Sequence, residues 1–173
     1  MQLRDATQAD LPAIQAIYAH HVLHGLATFE EVPPGVEELR RRHADITDRG
    51  LPYLAAMRGG EVLGYGYCAP YRLRSAYRYA IEDSIYIRQD ALGQGMGAAL
   101  LAALVVRSAA LGYRQLIAVI GDSANASSIA LHARHGFLRV GTLRSSGYKF
   151  GRWVDSVLMQ RPLGPGDGAP PAS

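Results

Sequence analysis

Ile85-Tyr86-Ile87-Arg88-Gln89-Asp90-Ala91-Leu92-Gly93-Gln94-Gly95-Met96-Gly97-Ala98-Ala99-Leu100-Leu101 is the stretch on which the fold turns. An apolar strand runs into a bend with glycine at every second position, and a helix opens directly behind it. The first four N–H groups of such a helix have no partner inside it, and the helix dipole favours negative charge there. A glycine bend lets further backbone N–H groups point at the same spot, so a diphosphate is the natural guest.

Outward from this stretch the chain reads as one domain with a single crossover. Upstream, Leu3–Ala6 predicts a short strand, and Thr7 with Asp10 resembles a capping box in which Asp replaces the usual Glu or Gln. Leu11, Ile14, Ile17, Tyr18 and Val22 then share one face of a helix that ends at Gly25. Thr28 to Gly35 is a loop by its prolines, and a charged helix follows from Val36 to Arg49. Tyr53–Met57 and Val62–Tyr67 form a hairpin around Gly59-Gly60. Pro70–Arg78, rich in Tyr and Arg, is a loop, and Tyr79–Ile87 is the strand before the glycine bend. Downstream, the helix runs to Leu111 and is capped by Gly112. Leu116–Ile120 is a strand, Ser127–His135 a helix, and Leu138–Leu143 and Trp153–Gln160 are the last strands.

The expected fold class is therefore α/β with α+β character. It has a single mixed, mostly antiparallel central sheet, a central β-α-β crossover and flanking helices. The domain spans residues 1–162. The tail 163–173 is rich in Pro, Gly and Ala and is expected to be disordered.

Composition narrows the function. The chain has 173 residues, enough to bury a core without staples. Nearly half of its residues are apolar and a fifth charged, as in ordinary globular domains. Cys68 is the single cysteine, so no intramolecular disulfide forms and a reducing cytoplasm is the expected compartment. Met1–Ala6 lacks an apolar core of signal-peptide length, and no uncharged stretch reaches the roughly 18 residues of a membrane span. The formal charge is +3, but the basic residues are scattered rather than striped, so no nucleic-acid partner is expected. His20, His21 and His24 cluster without the Glu that completes a zinc-binding H-E-x-x-H pattern, so no metal is expected. Tyr148, Phe150 and Trp153 are expected to pack a core or a subunit interface rather than stack on bases.

Two architectures use a glycine bend of this kind. Gly93, Gly95 and Ala98 fit the G-x-G-x-x-A of a dinucleotide-binding Rossmann domain, and Asp122 ends the next strand. That domain, however, repeats its crossover, and its fingerprint follows the strand almost at once. Here the crossover occurs once, and Gly93 comes six positions after Ile87.

The chain instead resembles the GCN5-related N-acetyltransferase (GNAT) superfamily. Closer still, over about residues 2–161, it is similar to the phosphinothricin and methionine sulfoximine acetyltransferase group. The superfamily pyrophosphate motif, Gln/Arg-x-x-Gly-x-Gly/Ala, falls on Leu92-Gly93-Gln94-Gly95-Met96-Gly97, with Leu92 replacing its first residue. Further matches are Thr28-Phe29-Glu30, Tyr71 to Tyr77, Ile81 to Ile87, Asn125 to His132 with Gly136-Phe137, and Lys149 to Asp155.

The resemblance implies acetyl-CoA as co-substrate, a small amino acid-like acceptor and a homodimer. Such a transfer needs neither a metal nor a covalent intermediate. The acceptor ammonium, of pKa about 8, must lose a proton before it can attack. The thioester oxygen needs donors as it becomes an oxyanion, and the leaving thiolate takes up a proton. Glu82, an acidic residue inside a strand where propensity disfavours it, is the candidate base. The alternative for Glu82 is a salt bridge to Arg74, Arg78 or Arg114. Strand alternation puts Glu82 on one face with Ser84 and Tyr86, and Asp83 on the other in a structural role.

His132 falls where many superfamily members carry an acidic tyrosine; the alternative is a packed helix histidine. The edge of Ile85, Tyr86 and Ile87 is expected to meet the pantetheine arm, as an added strand would. Gly93, Gln94, Gly95, Met96, Gly97 and Ala98 are expected to hold the pyrophosphate. Asn125 resembles the residue that hydrogen-bonds the pantetheine and could serve as a helix N-cap as well. Arg72 and Arg74 are candidates for the acceptor carboxylate, Arg74 by the better match. Phe29, Tyr77 and Glu30 are expected around the same pocket. Other readings are acetylation of another small amine or of a protein N-terminus, or a non-catalytic acyl-CoA-binding module. Retention of Glu82 and His132 argues against the last.

Overall fold

Alternation along the strands and a 3–4 spacing along the helices build one open sheet with helices on both faces. The computed structural model describes residues 1–171; the end of the tail, residues 172 and 173, lies outside the described residues. The strands are β1 (Gln2–Asp5), β2 (Tyr53–Arg58), β3 (Glu61–Pro70), β4 (Ala80–Ile87), β5 (Gln115–Gly121), β6 (Leu138–Lys149) and β7 (Arg152–Pro162). The helices are α1 (Leu11–His24), α2 (Val36–Thr47), α3 (Met96–Ala110) and α4 (Ala126–Arg134). The sheet order is β1-β2-β3-β4-β5-β7-β6. Only the β4–β5 pair is parallel, and α3 makes its crossover. Among the described residues, no helix is long and apolar enough to cross a membrane.

The two faces of β4 show how the layers divide. Tyr86 packs edge-on against Tyr18 of α1 with ring centroids 5.0 Å apart. Asp83, an odd number of residues away and hence on the other face, meets His132 of α4. Helix α1 buries Leu11, Ile14, Ile17, Tyr18 and Val22, the stripe its sequence predicts. Helix α3 buries Met96, Leu100, Leu101, Leu104 and Val105. Each such side chain contributes about 1.5–3 kcal/mol of apolar burial. At the start of α1, Asp10 accepts hydrogen bonds from the Thr7 N–H (2.7 Å) and, through both oxygens, from Arg4 (2.6 and 2.7 Å).

Strands β4 and β5 separate partway. Their parallel pairing runs from Ala80↔Gln115 to Asp83↔Ala118 and stops. Beyond it β5 pairs only with β7, as far as Gly121↔Ser156. The half of β4 from Ser84 to Ile87 therefore has β3 on one side and an open gap on the other.

The tail departs from the expected disorder as far as it is described. Leu163 is buried, and its N–H donates to the Arg114 carbonyl oxygen at 2.9 Å. The Arg114 guanidinium donates in turn to the carbonyl oxygens of Gly166 (3.0 Å) and Pro170 (2.9 Å). One buried leucine and one multidentate arginine order a segment whose composition alone argues for none. The last strands are also longer than expected, because β6 and β7 form one continuous hairpin through Phe150-Gly151.

Candidate active site

The open gap is floored by the free edge of β4. The Arg88 N–H donates to the Leu63 carbonyl oxygen on the β3 side. Residues alternate sides along a strand, so the N–H and C=O groups of Ile85 and Ile87 face the gap. The Ile87 carbonyl oxygen accepts a hydrogen bond from His21 Nε2 of α1 at 2.8 Å. The Ile85 N–H and C=O, with the Ile87 N–H, offer two donors and an acceptor to an amide-rich chain laid in the gap.

The glycine bend closes one end. Gly93 and Gly95 have φ of +72° and +81°, a left-handed backbone that residues with a Cβ adopt only at a cost. Gly95 is the N-cap of α3, whose first turn holds no acidic residue, so its N–H groups are free for an anion. Gly97 is under no such backbone demand, and a Cβ there would meet Leu131 of α4 at 3.4 Å, an ordinary contact. The cavity so formed has a volume of about 450 Å³ and is lined by Ser84–Ile87, Gly93, Gly95–Ala98, Asn125 and His132, among others. Gln94 departs from expectation. Its side chain is turned away, accepting from Arg58 and donating to the Asp90 carbonyl oxygen at 3.1 Å, so it does not line the cavity. Asn125 caps α4, accepting from the Ser128 N–H at 3.2 Å, and lines the cavity as well.

Two carboxyl groups stand on opposite faces of β4 where its pairing with β5 ends: Asp83 lines the cavity and Glu82 does not. Glu82 has no hydrogen-bond or ion-pair partner among the described residues. Burial, reinforced by the neighbouring Asp83 charge and opposed by Arg72, raises its pKa to about 7. The salt-bridge alternative for Glu82 is thereby set aside. Asp83 is not a bystander: its Oδ2 lies 3.0 Å from His132 Nε2. His132 Nδ1 lies 2.8 Å from the Ser128 carbonyl oxygen, one turn back in α4. Burial alone would lower the His132 pKa, but Asp83 and the Ser128 carbonyl outweigh it and the net direction is up. Phe137 packs edge-on against the imidazole at 5.0 Å.

The acceptor-side candidates fall into two groups. Arg72, Arg74 and Tyr77 lie in the loop that joins β3 to β4, beside Glu82, which is opposite Ala69 in the ladder. Arg72 stacks on Tyr71 at 5.0 Å, and Tyr77 meets the same ring edge-on at 5.9 Å. Arg72, not Arg74, is the cation whose charge is felt at Glu82. Arg74 is exposed and precedes a short 3-10 turn, Ser75–Tyr77. Phe29 and Glu30 lie across the site in the loop after α1. The Phe29 ring is seated so closely on β5 and β6 that a Cβ at Gly147 would come within 2.5 Å of it. Glu30 accepts from Tyr18 (2.9 Å) and Arg42 (2.6 Å), so it anchors that loop.

Sequence reading missed the latch on this loop. Lys149 is almost fully buried, and its Nζ donates to the carbonyl oxygens of Gly25 (2.9 Å) and Thr28 (2.8 Å). Burial pushes its ammonium below the ordinary lysine range, against the pull of Glu31 and Glu30. The signal in the chain was Lys149 itself, its single lysine. His21 was seen only as part of a histidine cluster. Among the described residues, no group of three His, Cys, Asp or Glu side chains is placed to hold a metal. Tyr148, Phe150 and Trp153 are more than half exposed, so they are not core residues.

Comparisons with known proteins agree with this geometry. Residues 3–158 match the family model described as an acetyltransferase (GNAT) domain. The chain is 59% identical over 158 residues to a phosphinothricin N-acetyltransferase of Alcaligenes faecalis, covering 91% of this chain and 80% of that one. It is 40% identical over 169 residues to an L-methionine sulfoximine/L-methionine sulfone acetyltransferase of Pseudomonas aeruginosa, covering 97% and 98%. A crystal structure of a phosphinothricin acetyltransferase from Sinorhizobium meliloti in complex with AcCoA superposes with a TM-score of 0.97 at 49% identity, covering 99% of this chain and 93% of that one. Fold, site geometry and kinship thus converge: the chain belongs to the GNAT acetyltransferase family.

Proposed function

We propose that this enzyme transfers the acetyl group of acetyl-CoA to the α-amino group of a small amino acid of the phosphinothricin or methionine sulfoximine and sulfone type. One observation carries the reading. A gap between two diverging strands has a diphosphate cradle at one end, and on the strand that floors it, just before the strands part, stands Glu82, a carboxyl group poised near neutrality and without a partner among the described residues.

In this reading the N–H groups of Gly93 and Gly95–Ala98 hold the pyrophosphate, and the free edge of Ile85 and Ile87 holds the pantetheine amides. Tyr86 turns its ring to the α1 side and joins the edge only through the strand. Asn125 meets the same arm beside its capping role. Arg72 receives the acceptor carboxylate as a bidentate partner, with Arg74, Tyr77 and Phe29 around the rim. Glu82 takes the ammonium proton, directly or through one water, and the amine attacks the thioester carbon within the ternary complex. A backbone N–H of the β4 edge stabilises the oxyanion. His132, on the cavity wall, assists the departure of the thiolate. The enzyme works in the cytoplasm, where its lone buried thiol, Cys68, stays reduced.

A second copy of the chain is the partner this reading expects. Leu138, Val140 and Leu143 of edge strand β6, with Tyr148 and Trp153, are exposed apolar side chains of the β6–β7 hairpin, available to a homodimer contact. Sedimentation equilibrium tests this, since a monomer at micromolar concentration would exclude it. The function is tested by thiol release from acetyl-CoA with phosphinothricin, methionine sulfoximine, methionine sulfone, the twenty ordinary amino acids and a peptide with a free N-terminus. Saturating turnover is expected on the first three. Turnover on the peptide alone would replace the reading.

A further inference from the structure

A neutral imidazole carries one N–H, yet both ring nitrogens of His132 face acceptors. Nδ1 is 2.8 Å from the Ser128 carbonyl oxygen, and Nε2 is 3.0 Å from Asp83 Oδ2. The carbonyl can only accept, so Nδ1 must carry a proton. The contact to Asp83 then needs a second proton, held either by Nε2 or by the carboxyl group.

The surroundings favour Nε2. Asp83 is buried, and its other oxygen, Oδ1, has no partner among the described residues, so His132 alone can balance the carboxylate. From β3 the facing group is Cys68, whose thiol is pushed up to about 12 by burial and is therefore neutral. From α3 comes only the Ser108 hydroxyl, 3.5 Å from that sulfur. Ala118 of β5 and Phe137 are apolar. Within α4, Ser128 Oγ is 3.4 Å from Nδ1, and Arg134 lies farther along the cavity wall. On β4, Glu82 points to the opposite face.

We propose that Asp83 is a positioning residue for the transfer step: its carboxylate holds His132 as the doubly protonated imidazolium, a fixed positive charge on the cavity wall that stabilises the departing thiolate. The inference rests on the acetyltransferase reading above. The step balances. The ammonium proton passes to Glu82, the freed amine nitrogen forms a bond to the thioester carbon, the C–S bond breaks with its electron pair going to sulfur, and the second proton of the acylated nitrogen passes to the thiolate. Loss of one proton to solvent restores Glu82. Asp83 and His132 are 49 residues apart, and strand alternation shows only that Asp83 leaves the Glu82 face.

The test reads the ring directly. In protein labelled with 15N-histidine, with His132 assigned by its loss in His132→Gln, both ring nitrogens should be protonated at pH 7.5. In Asp83→Asn the titration midpoint should fall by about 1–3 pH units, the worth of a close opposite charge. The alkaline limb of kcat should move down with it while the acetyl-CoA KM stays. A neutral wild-type ring at pH 7.5 overturns the proposal, and so does an Asp83→Asn variant that leaves midpoint and alkaline limb in place. If that variant does not fold, the wild-type ring spectrum decides alone. A protonated ring in a wild type that transfers no acetyl group would overturn the acetyl-transfer reading, and with it the role of the charge, but not the charge state of the pair.

Discussion

Glu82→Gln is the most informative single change. The side chain keeps its shape and loses its basicity, and no hydrogen bond or ion pair among the described residues depends on it. With its pKa raised to about 7 by burial and Asp83, Glu82 is half ionised at neutral pH. A base so tuned is matched to an ammonium of pKa about 8. Removing it should lower kcat by about 10²–10⁴, the usual worth of a general base. In the wild type, kcat/KM should rise with pH through an inflection near 7. At pH 5, two units below it, about one enzyme in a hundred has the carboxylate, so the rate should be about 100-fold below its plateau. Arg72→Ala sharpens the reasoning. Arg72 lowers the Glu82 pKa, so its loss should move the inflection to higher pH, on top of any rise in acceptor KM. The assay is release of coenzyme thiol across pH 5–9 at saturating acetyl-CoA. A Glu82→Gln enzyme within threefold of wild type at pH 7.5 would refute the assignment. So would a wild-type profile with no inflection between pH 6 and 8.

The other predictions concern the scaffold. Lys149→Met leaves two buried carbonyl oxygens without their charged donor; offset by relief of the buried ammonium, the loss should be about 2 kcal/mol by urea denaturation. The acceptor KM should rise while that of acetyl-CoA holds, because the loop carrying Phe29 and Glu30 is freed. Asp10 has its pKa lowered to about 2, chiefly by Arg4. It therefore adds about 2 kcal/mol of stability that is complete above about pH 5 and fades as pH falls toward 2. Denaturation midpoints of wild type and Asp10→Asn should converge at acid pH, and a constant gap from pH 6 to pH 2.5 would contradict this. Leu92 is half exposed at the cavity mouth, so Leu92→Arg should tighten acetyl-CoA by up to about fivefold at low salt, read by calorimetry and lost as salt rises.

Where the sequence was legible, the signal was local. The glycine bend is legible because Gly93 and Gly95 answer a backbone requirement, and the α1 stripe because burial repeats with the helix period. Alternation also assigned Glu82 and Asp83 to opposite faces of β4. It could not say what lies across each face. The partner of Asp83 comes from α4, that of Lys149 from the loop after α1, and that of Glu30 from α2. Such contacts join segments that meet only after the sheet has formed. The contacts of the tail were illegible for a related reason. Pro, Gly and Ala dominate its composition, while its order rests on Leu163 and on Arg114, a residue far upstream. Arg74 had the better family match, yet the charge felt at Glu82 is that of Arg72, because a resemblance aligns positions and does not measure where a side chain reaches.

The central claim is that the gap between β4 and β5 brings a thioester to an α-amino group beside Glu82. Incubating the enzyme with acetyl-CoA labelled with 13C in the acetyl carbonyl, together with phosphinothricin, tests it most directly. The account predicts an amide carbonyl signal on the α-nitrogen of the acceptor, formed in step with free coenzyme thiol. Thiol release by simple hydrolysis, with label appearing only in acetate, would contradict it.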